Sequence, residues 1–475
     1  MSEPVDNLYR YRSIEKLFQF HELENLEIYF SKPSDLNDKM EDYMNIIWQG
    51  DEIAFKSLFK HYLYSLCLSY AMASIMDPNE KLDKDKLPIY LSVESLSWPI
   101  MDTLFKDVYY EFFNSPEIAK LPEIMANANR PFNQDEVSFI LKSIHLFAYL
   151  VINTQSKKQI YSEDSLQNQE YNTIYNHLKF GIKYSDITSL MVQSKNKEEI
   201  LCCIEAAEYE RREIKKVLEV LYADKNRFNI ELLTFDFTDL YMNQLKRLLY
   251  NEHYIACFTK SYNNKLMWGH YADGGNGVCL KFKIKNEKNK NFINLRTVSG
   301  MSSDSVGTKL IKDFSLHEVY KVNYLDIYPE IDFFNSLGCI SSKVIRDFWL
   351  CNYDRTKFSK CCENYNDMNI WRENYHKKAT EYICTKSEEW KYEEEYRVFI
   401  TNFLGLYEQD DDRKAQYRFE DLEAIIFGEK VSKEDKGKIT KIIAQHCKEN
   451  NRNDFKFYDI YYSTITKQLE LRQFI

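Results

Sequence analysis

The sequence predicts an α+β protein, with a discontinuous, mostly antiparallel sheet domain and a large all-helical insertion. Three observations lead there. Alternation of polar and apolar residues, the period of a strand, marks Leu8–Arg12 and the HEVYKVNYLD stretch from His317 to Asp326. Apolar spacings of three and four, the period of a helix, mark Phe55–Met76, Val137–Val151 and Glu198–Leu221. No glycine occurs from Asp51 to Phe180, and the prolines of that stretch suit helix starts and connections. These divide the chain into residues 1–51 (first part of the core domain), 52–230 (helical insertion) and 231–475 (second part of the core). A length of 475 residues calls for two or three packed units.

In order, LYRYR places Leu8, Arg10 and Arg12 on one side of a strand and Tyr9 and Tyr11 on the other. Ser13 caps a helix whose buried side takes Leu17, Phe18 and Phe20, and Glu27–Phe30 returns as a strand. SKPSDLNDKMED is a turn-rich loop in which Asn37–Asp38 suits an Asx turn. Asn153–Asn176 is polar and expected as an exposed loop. Asn229–Phe237 looks like a strand and Asp239–Glu252 like one helix. Asn291 onward is expected to be irregular as far as HEVYKVNYLD, and Tyr328–Thr385 mostly helical. Lys391–Thr401 is a strand, Leu422–Phe427 a buried strand closed by Gly428, Lys433–Cys447 a helix capped by Ser432, and Phe455–Tyr462 a last strand.

The stretch Tyr254–Ile284 organises the rest: strand, Asn-rich loop, one short helical turn, glycine turn, strand. Four of the twelve glycines (Gly269, Gly274, Gly275, Gly277) fall within nine residues here. Glycine marks positive φ or close backbone approach, so the chain needs an unusual backbone beside Trp268, His270 and Tyr271.

Hydrophobic residues make up 44% and charged residues 29%, the balance of a water-soluble globular chain. The net charge of −10 argues against a globally basic nucleic-acid binder, and the one basic run, KIKNEKNK at 283–290, suits a solvated loop. Eleven scattered cysteines without a CxxC read as reduced, mostly buried thiols, which points to the cytoplasm. The N-terminus has neither the basic nor the apolar region of a signal peptide. The longest uncharged run, Tyr62–Met76, is shorter than the ~20 residues of a membrane span, so no transmembrane segment and no membrane partner are expected.

Three groups could carry chemistry. On an extended strand Glu393, Glu395 and Arg397 share a face. Two adjacent carboxylates repel, which raises at least one pKa. They suit an acid/base pair or a clamp for a developing positive charge, and equally an edge strand with ordinary cross-strand pairs. On the helical turn, His270 suits a general acid/base or a hydrogen-bonded structural role, and Trp268 and Tyr271 suit stacking on a planar ligand or core packing. On the first strand, Arg10 and Arg12 could bind phosphate. A lone His with no nearby cluster makes a metal site improbable. GGNG at 274–277 is followed by no Lys-Ser/Thr and is not a phosphate-binding loop.

Four pieces occur in a fixed order: LYRYRS (8–13), IYFSKPSDLND (28–38), CFTK…LMWGHYADGGNGVCLKF (257–282), and Lys386, Trp390, Glu393, Glu395, Tyr396 and Arg397. LEAIIFG before a final helix and strand makes a fifth. Together they resemble the bacterial family catalogued as domain of unknown function 2971 (DUF2971), over roughly residues 7–50 and 230–470. One departure is Asn37-Asp38-Lys39-Met40, where the family usually has Asn-Asp-Pro-Phe. More remotely, the layout is similar to ADP-ribosyltransferases. That resemblance implies a cofactor-binding set of Arg10, Tyr11, Trp268, Tyr271 and Arg397, with Arg10 holding the phosphates or ribose of NAD and Trp268 or Tyr271 stacking on nicotinamide. It implies Glu395, with Glu393, stabilising the oxocarbenium-like ribose, and His270 as a further catalytic candidate. The expectation is an enzyme using NAD as co-substrate, a transferase or glycohydrolase acting in a toxin or in phage defence on an unknown macromolecular acceptor. The alternatives are a non-catalytic module binding a small ligand or a protein, with the helical insertion as the interface, and thirdly a nucleic-acid-processing enzyme.

Overall fold

The structure is a computed structural model, and it describes residues 4–77, 80–90, 99–160, 188, 191–221, 228–303 and 308–474. The chain forms two compact units, Met1–Tyr43 with Asn251–Pro329 and Ala379–Ile475, and Met44–Tyr250 with Glu330–Lys378.

The first unit is built on a twelve-stranded sheet. Its strands, with one short parallel pair beside them, are β1 (Asn7–Ser13), β2 (Glu27–Tyr29), β3 (His253–Thr259), β4 (Gly277–Lys283), β5 (Lys285–Glu287), β6 (Lys290–Ser303), β7 (Thr308–Lys321), β8 (Asn323–Tyr324), β9 (Thr385–Lys386), β10 (Glu395–Thr401), β11 (Lys414–Tyr417), β12 (Leu422–Phe427), β13 (Lys456–Tyr462) and β14 (Leu469–Gln473). The order is β14-β13-β12-β4-β1-β3-β10-β7-β6-β11-β2, with β5 on β6 and β8 paired to β9. Among the described residues only β12–β13 is parallel within the large sheet, so the α+β, mostly antiparallel expectation holds. Residues from both ends of the strand order, Ile28 and Tyr417 as well as Leu422 and Phe457, enter one buried cluster with Leu8, Phe258, Leu280 and Val398. One face of the sheet therefore curls around this core, and a second, smaller cluster of Tyr11, Trp268, Cys279, Ile426 and Ile460 lies on the other face. The Lys433–Glu449 helix adds Ile439 and Ile443 to that core, and Ser432 Oγ caps it by accepting from Asp435 N at 3.0 Å.

The helix after β1 forms as expected, and Ser13 Oγ accepts from Lys16 N, although Phe20 is exposed rather than buried. Asp38 makes the Asx turn, its Oδ1 accepting from Met40 N at 2.9 Å. The region expected to be irregular after Asn291 is instead the long β6–β7 hairpin. Its outer half leaves Met301, Ile311, Phe314 and Leu316 exposed, so no one-sided apolar alternation exists there to be read.

The second unit is mainly helical: Glu52–Ile75, Pro99–Phe113, Pro116–Asn127, Gln134–Ile160, Lys197–Leu221 and Phe237–Leu245, with Met368–Ile383 running across the boundary between the units. Within residues 52–230, expected to be all-helical, the two-residue strand Phe132–Asn133 pairs with Asn45–Trp48, which also pairs with Glu330–Asp332. The expected strand at Asn229–Phe237 is helical, with a π-helical turn at Leu232–Asp236. Its apolar pattern suits either period; a π turn aligns residues five apart, and Leu232 and Phe237 are both buried. Of the polar loop expected at 153–176, residues 153–160 continue the Gln134–Ile160 helix and the rest lies outside the described residues. Gln134–Lys158 is long and apolar enough to cross a membrane by length and composition alone. Of its most apolar window 56% is buried within the molecule, as in the core helix of a water-soluble protein. All eleven cysteines are free thiols.

Candidate functional site

Alternation decides which side chains can meet. Residues opposite one another on adjacent strands share a face. Tyr9 lies opposite Thr259, which lies opposite Glu395, and Cys257 lies opposite Arg397. So Tyr9, Tyr11, Glu395 and Arg397 share one face of the sheet. Arg10 is opposite Leu280 and takes the other face, within the curled core. There its guanidinium donates to the carbonyls of Cys257 (3.2 Å) and Tyr29 (3.3 Å) and lies over the Phe258 ring. Burial, with Arg12 nearby, lowers its pKa to about 10. The implied pairing of Arg10 with Glu395 around one ligand is thus corrected: one residue of register puts them on opposite sides of the sheet.

On the other face a buried ionic network forms from five residues. Lys386 Nζ lies 2.7 Å from Glu393 Oε2, 3.3 Å from Glu395 Oε2 and 3.6 Å from Glu41 Oε1. Its ammonium also sits 4.6 Å from the centre of the Trp390 ring. Arg397 Nε donates to Glu395 Oε1 at 2.8 Å, and its other nitrogens reach Glu41 at 3.0 and 2.5 Å and the Ile383 carbonyl at 2.6 Å. The Glu395 backbone N–H donates to the Tyr324 hydroxyl at 2.8 Å.

Glu393 is not on the strand, contrary to the expectation. It ends a 3-10 turn, Glu388–Glu393, and Glu394 follows in the left-handed region (φ 46°, ψ 47°) before β10 begins. That reversal is what brings Glu393 and Glu395 together on Lys386. Two of the five members, Glu41 and Lys386, were not among the sequence candidates. Lys386 stands in the motif with Trp390 and Glu393, whereas Glu41, 356 positions from Arg397, gives no signal beyond following the 37–40 turn.

Three carboxylates face two cations, so the buried set carries one excess negative charge if all ionise. Burial raises Glu393 and Glu41 above the ordinary carboxylate value, with Lys386 and Arg397 respectively opposing it. Burial acts on Glu395 too, but Arg397 and Lys386 outweigh it and hold Glu395 at about 2. Lys386 is raised despite burial, because Glu395 and Glu393 favour its charged form.

A set of rings covers this network. Tyr271 OH donates to Glu393 Oε1 at 2.5 Å, and burial followed by the Glu393 charge raises the Tyr271 pKa. Trp268 is buried, edge-on to Tyr11 at 5.1 Å, and its Nε1 donates to the Tyr262 carbonyl at 2.8 Å. Tyr11 OH donates to the Ser261 carbonyl at 3.1 Å. Asn264 caps the Lys265–Tyr271 helix and also donates to the Tyr392 carbonyl at 2.5 Å. His270 is exposed, its ring 6.2 Å from that of Tyr392. The glycines serve the backbone: Gly274 and Gly275 have φ of 61° and 94°, and a Cβ on Gly277 would lie 2.7 Å from Ala272 Cα. Beside Glu41 lies a small cavity with about 10 Å³ of open space, lined also by Asp42, His253 and Tyr382.

The structure thus brings Tyr11, Trp268, Tyr271, Glu393, Glu395 and Arg397 to one face, leaves His270 at its rim and sends Arg10 away. No curated protein and no solved structure matches the chain. Residues 267–398 match the model of the family described as "Protein of unknown function (DUF2971)", a narrower span than the motifs suggested, and it holds every member of the network except Glu41.

Proposed function

We propose that the sheet unit is a ligand-recognition module. Its half-buried tyrosines Tyr9, Tyr262, Tyr271 and Tyr392 take a planar ligand, and the ionic network beneath holds them in place. One observation carries this reading: Glu393 and Glu395 are already engaged by Lys386 and Arg397 and are almost wholly buried. Tyrosine provides rigid, amphipathic contact area at low entropic cost. Titration calorimetry with adenosine, nicotinamide and NAD tests it. Saturable binding that weakens in Tyr271→Ala, without nicotinamide release from NAD, is the expected result.

A second reading, an NAD-consuming transferase or glycohydrolase, is favoured by one observation. Glu393 and Glu395 are pushed to opposite sides of the ordinary carboxylate value, the arrangement that assigns acid and base roles. Nicotinamide release that disappears in Glu393→Gln would replace the first reading with this one.

A further inference from the structure

The helical unit holds a cavity with about 70 Å³ of open space, room for a few water molecules or one small ring. Phe139 and Leu146 on the Gln134–Ile160 helix, Ala207 on the Lys197–Leu221 helix and Phe235 of the π turn make apolar walls. The charged groups that line it, Lys142, Glu208 and Arg211, are all engaged in ion pairs, with Asp239 outside the lining as a further partner. Lys142 Nζ is 2.6 Å from Glu208 and 2.8 Å from Asp239, and Arg211 is 3.2 Å from Asp239 and donates to the Phe235 carbonyl at 2.8 Å. Charges already paired in this way leave none free for an ionic ligand.

Thr238, 1% exposed, also lines this cavity, and it ends a hydrogen-bond relay whose direction can be worked out. His145 Nε2 lies 2.8 Å from the Leu233 carbonyl, which can only accept, so Nε2 carries the proton. Burial lowers the His145 pKa to about 4, so the ring is neutral and Nδ1 is bare. Tyr62 OH, 2.6 Å away, therefore donates to Nδ1. The Tyr62 oxygen is then left to accept from Thr238 Oγ1, also at 2.6 Å. With its proton committed, Thr238 can offer the cavity only an acceptor.

We propose that this cavity is a binding site for a neutral, largely apolar ring compound bearing one O–H or N–H donor, the phenol or indole class, which donates to Thr238 Oγ1.

The full chain is titrated with phenol and indole, and with anisole and 1-methylindole, which keep the shape and lose the donor. Binding is read by ligand-observed NMR. Phenol and indole are expected to bind about tenfold more tightly than their methylated forms, the value of one hydrogen bond in a buried site. Benzoate, an anionic acceptor, is expected not to compete. Thr238→Val should remove the preference for the donor. Ala207→Phe, which alters no buried hydrogen bond and fills the cavity, should abolish binding of both phenol and indole. Equal affinity for parent and methylated probes, no binding of either, or binding that survives Ala207→Phe overturns the proposal.

Discussion

Two buried polar clusters, one in each unit, solve the same problem in opposite ways. In the helical unit Thr238, Tyr62, His145 and the Leu233 carbonyl form a neutral chain with every proton assigned. In the sheet unit three carboxylates share two cations, and the charges do not cancel. Neutral hydrogen bonds satisfy buried groups at little desolvation cost, whereas buried ions carry several kcal/mol of it each. The contrast teaches that the relay is a packing feature indifferent to physiological pH, while the ionic network is sensitive both to the loss of any member and to protons.

The largest effect should come from Arg397→Met. It strands Glu395 and Glu41 in the interior and is expected to destabilise the protein by about 3–5 kcal/mol, measured by urea unfolding. A milder loss would mean that Lys386 alone neutralises the site.

The pH dependence comes next, and its sign differs between the acids. Glu395 is held below its ordinary value, so its contribution is present above 4.5 and is lost as pH falls toward about 2. That window is worth roughly 3 kcal/mol, and Glu395→Gln should flatten the acid limb of the stability curve. Glu393 and Glu41 are raised, so their contribution is complete below 4.5 and is lost as pH rises through their folded values. Glu393→Gln should therefore remove a decline in stability on the alkaline side of 4.5. An unchanged profile in both variants would show that the network does not titrate in this range.

Tyr62→Phe breaks the neutral chain and should cost about 2 kcal/mol. Because His145 stays neutral above about 4, the loss should be the same at pH 5 and pH 8. A pH-dependent loss would remove the distinction between the two clusters. The smallest effect is expected at Glu394, exposed and left-handed at φ 46°. Glu394→Gly should stabilise by about 1 kcal/mol in thermal unfolding, because glycine adopts that conformation without a Cβ clash.

Much of the candidate site was legible. The ring-bearing turn at Met267–Tyr271, the strand carrying Glu395 and Arg397, and the glycine turn all occur where their patterns indicated. Glu393 was placed in the right company for a wrong reason, since a left-handed residue and not strand alternation brings it to Lys386. Glu41 was missed because an acid in a turn-rich loop carries no period and no motif of its own. The long β6–β7 hairpin was missed because exposure on both faces erases the alternation that identifies a strand.

Short-range rules were enough for the helix cap at Ser432, the apolar periods of the long helices and the division of β1 into an arginine side and a tyrosine side. Each depends on neighbours within a few positions, where covalent geometry leaves little choice. Which side of β1 faces the acids, and which distant carboxylate completes their network, depended on strand register and on a loop hundreds of residues away. Those outcomes follow from packing and charge pairing in three dimensions, and separation along the chain carries no trace of them.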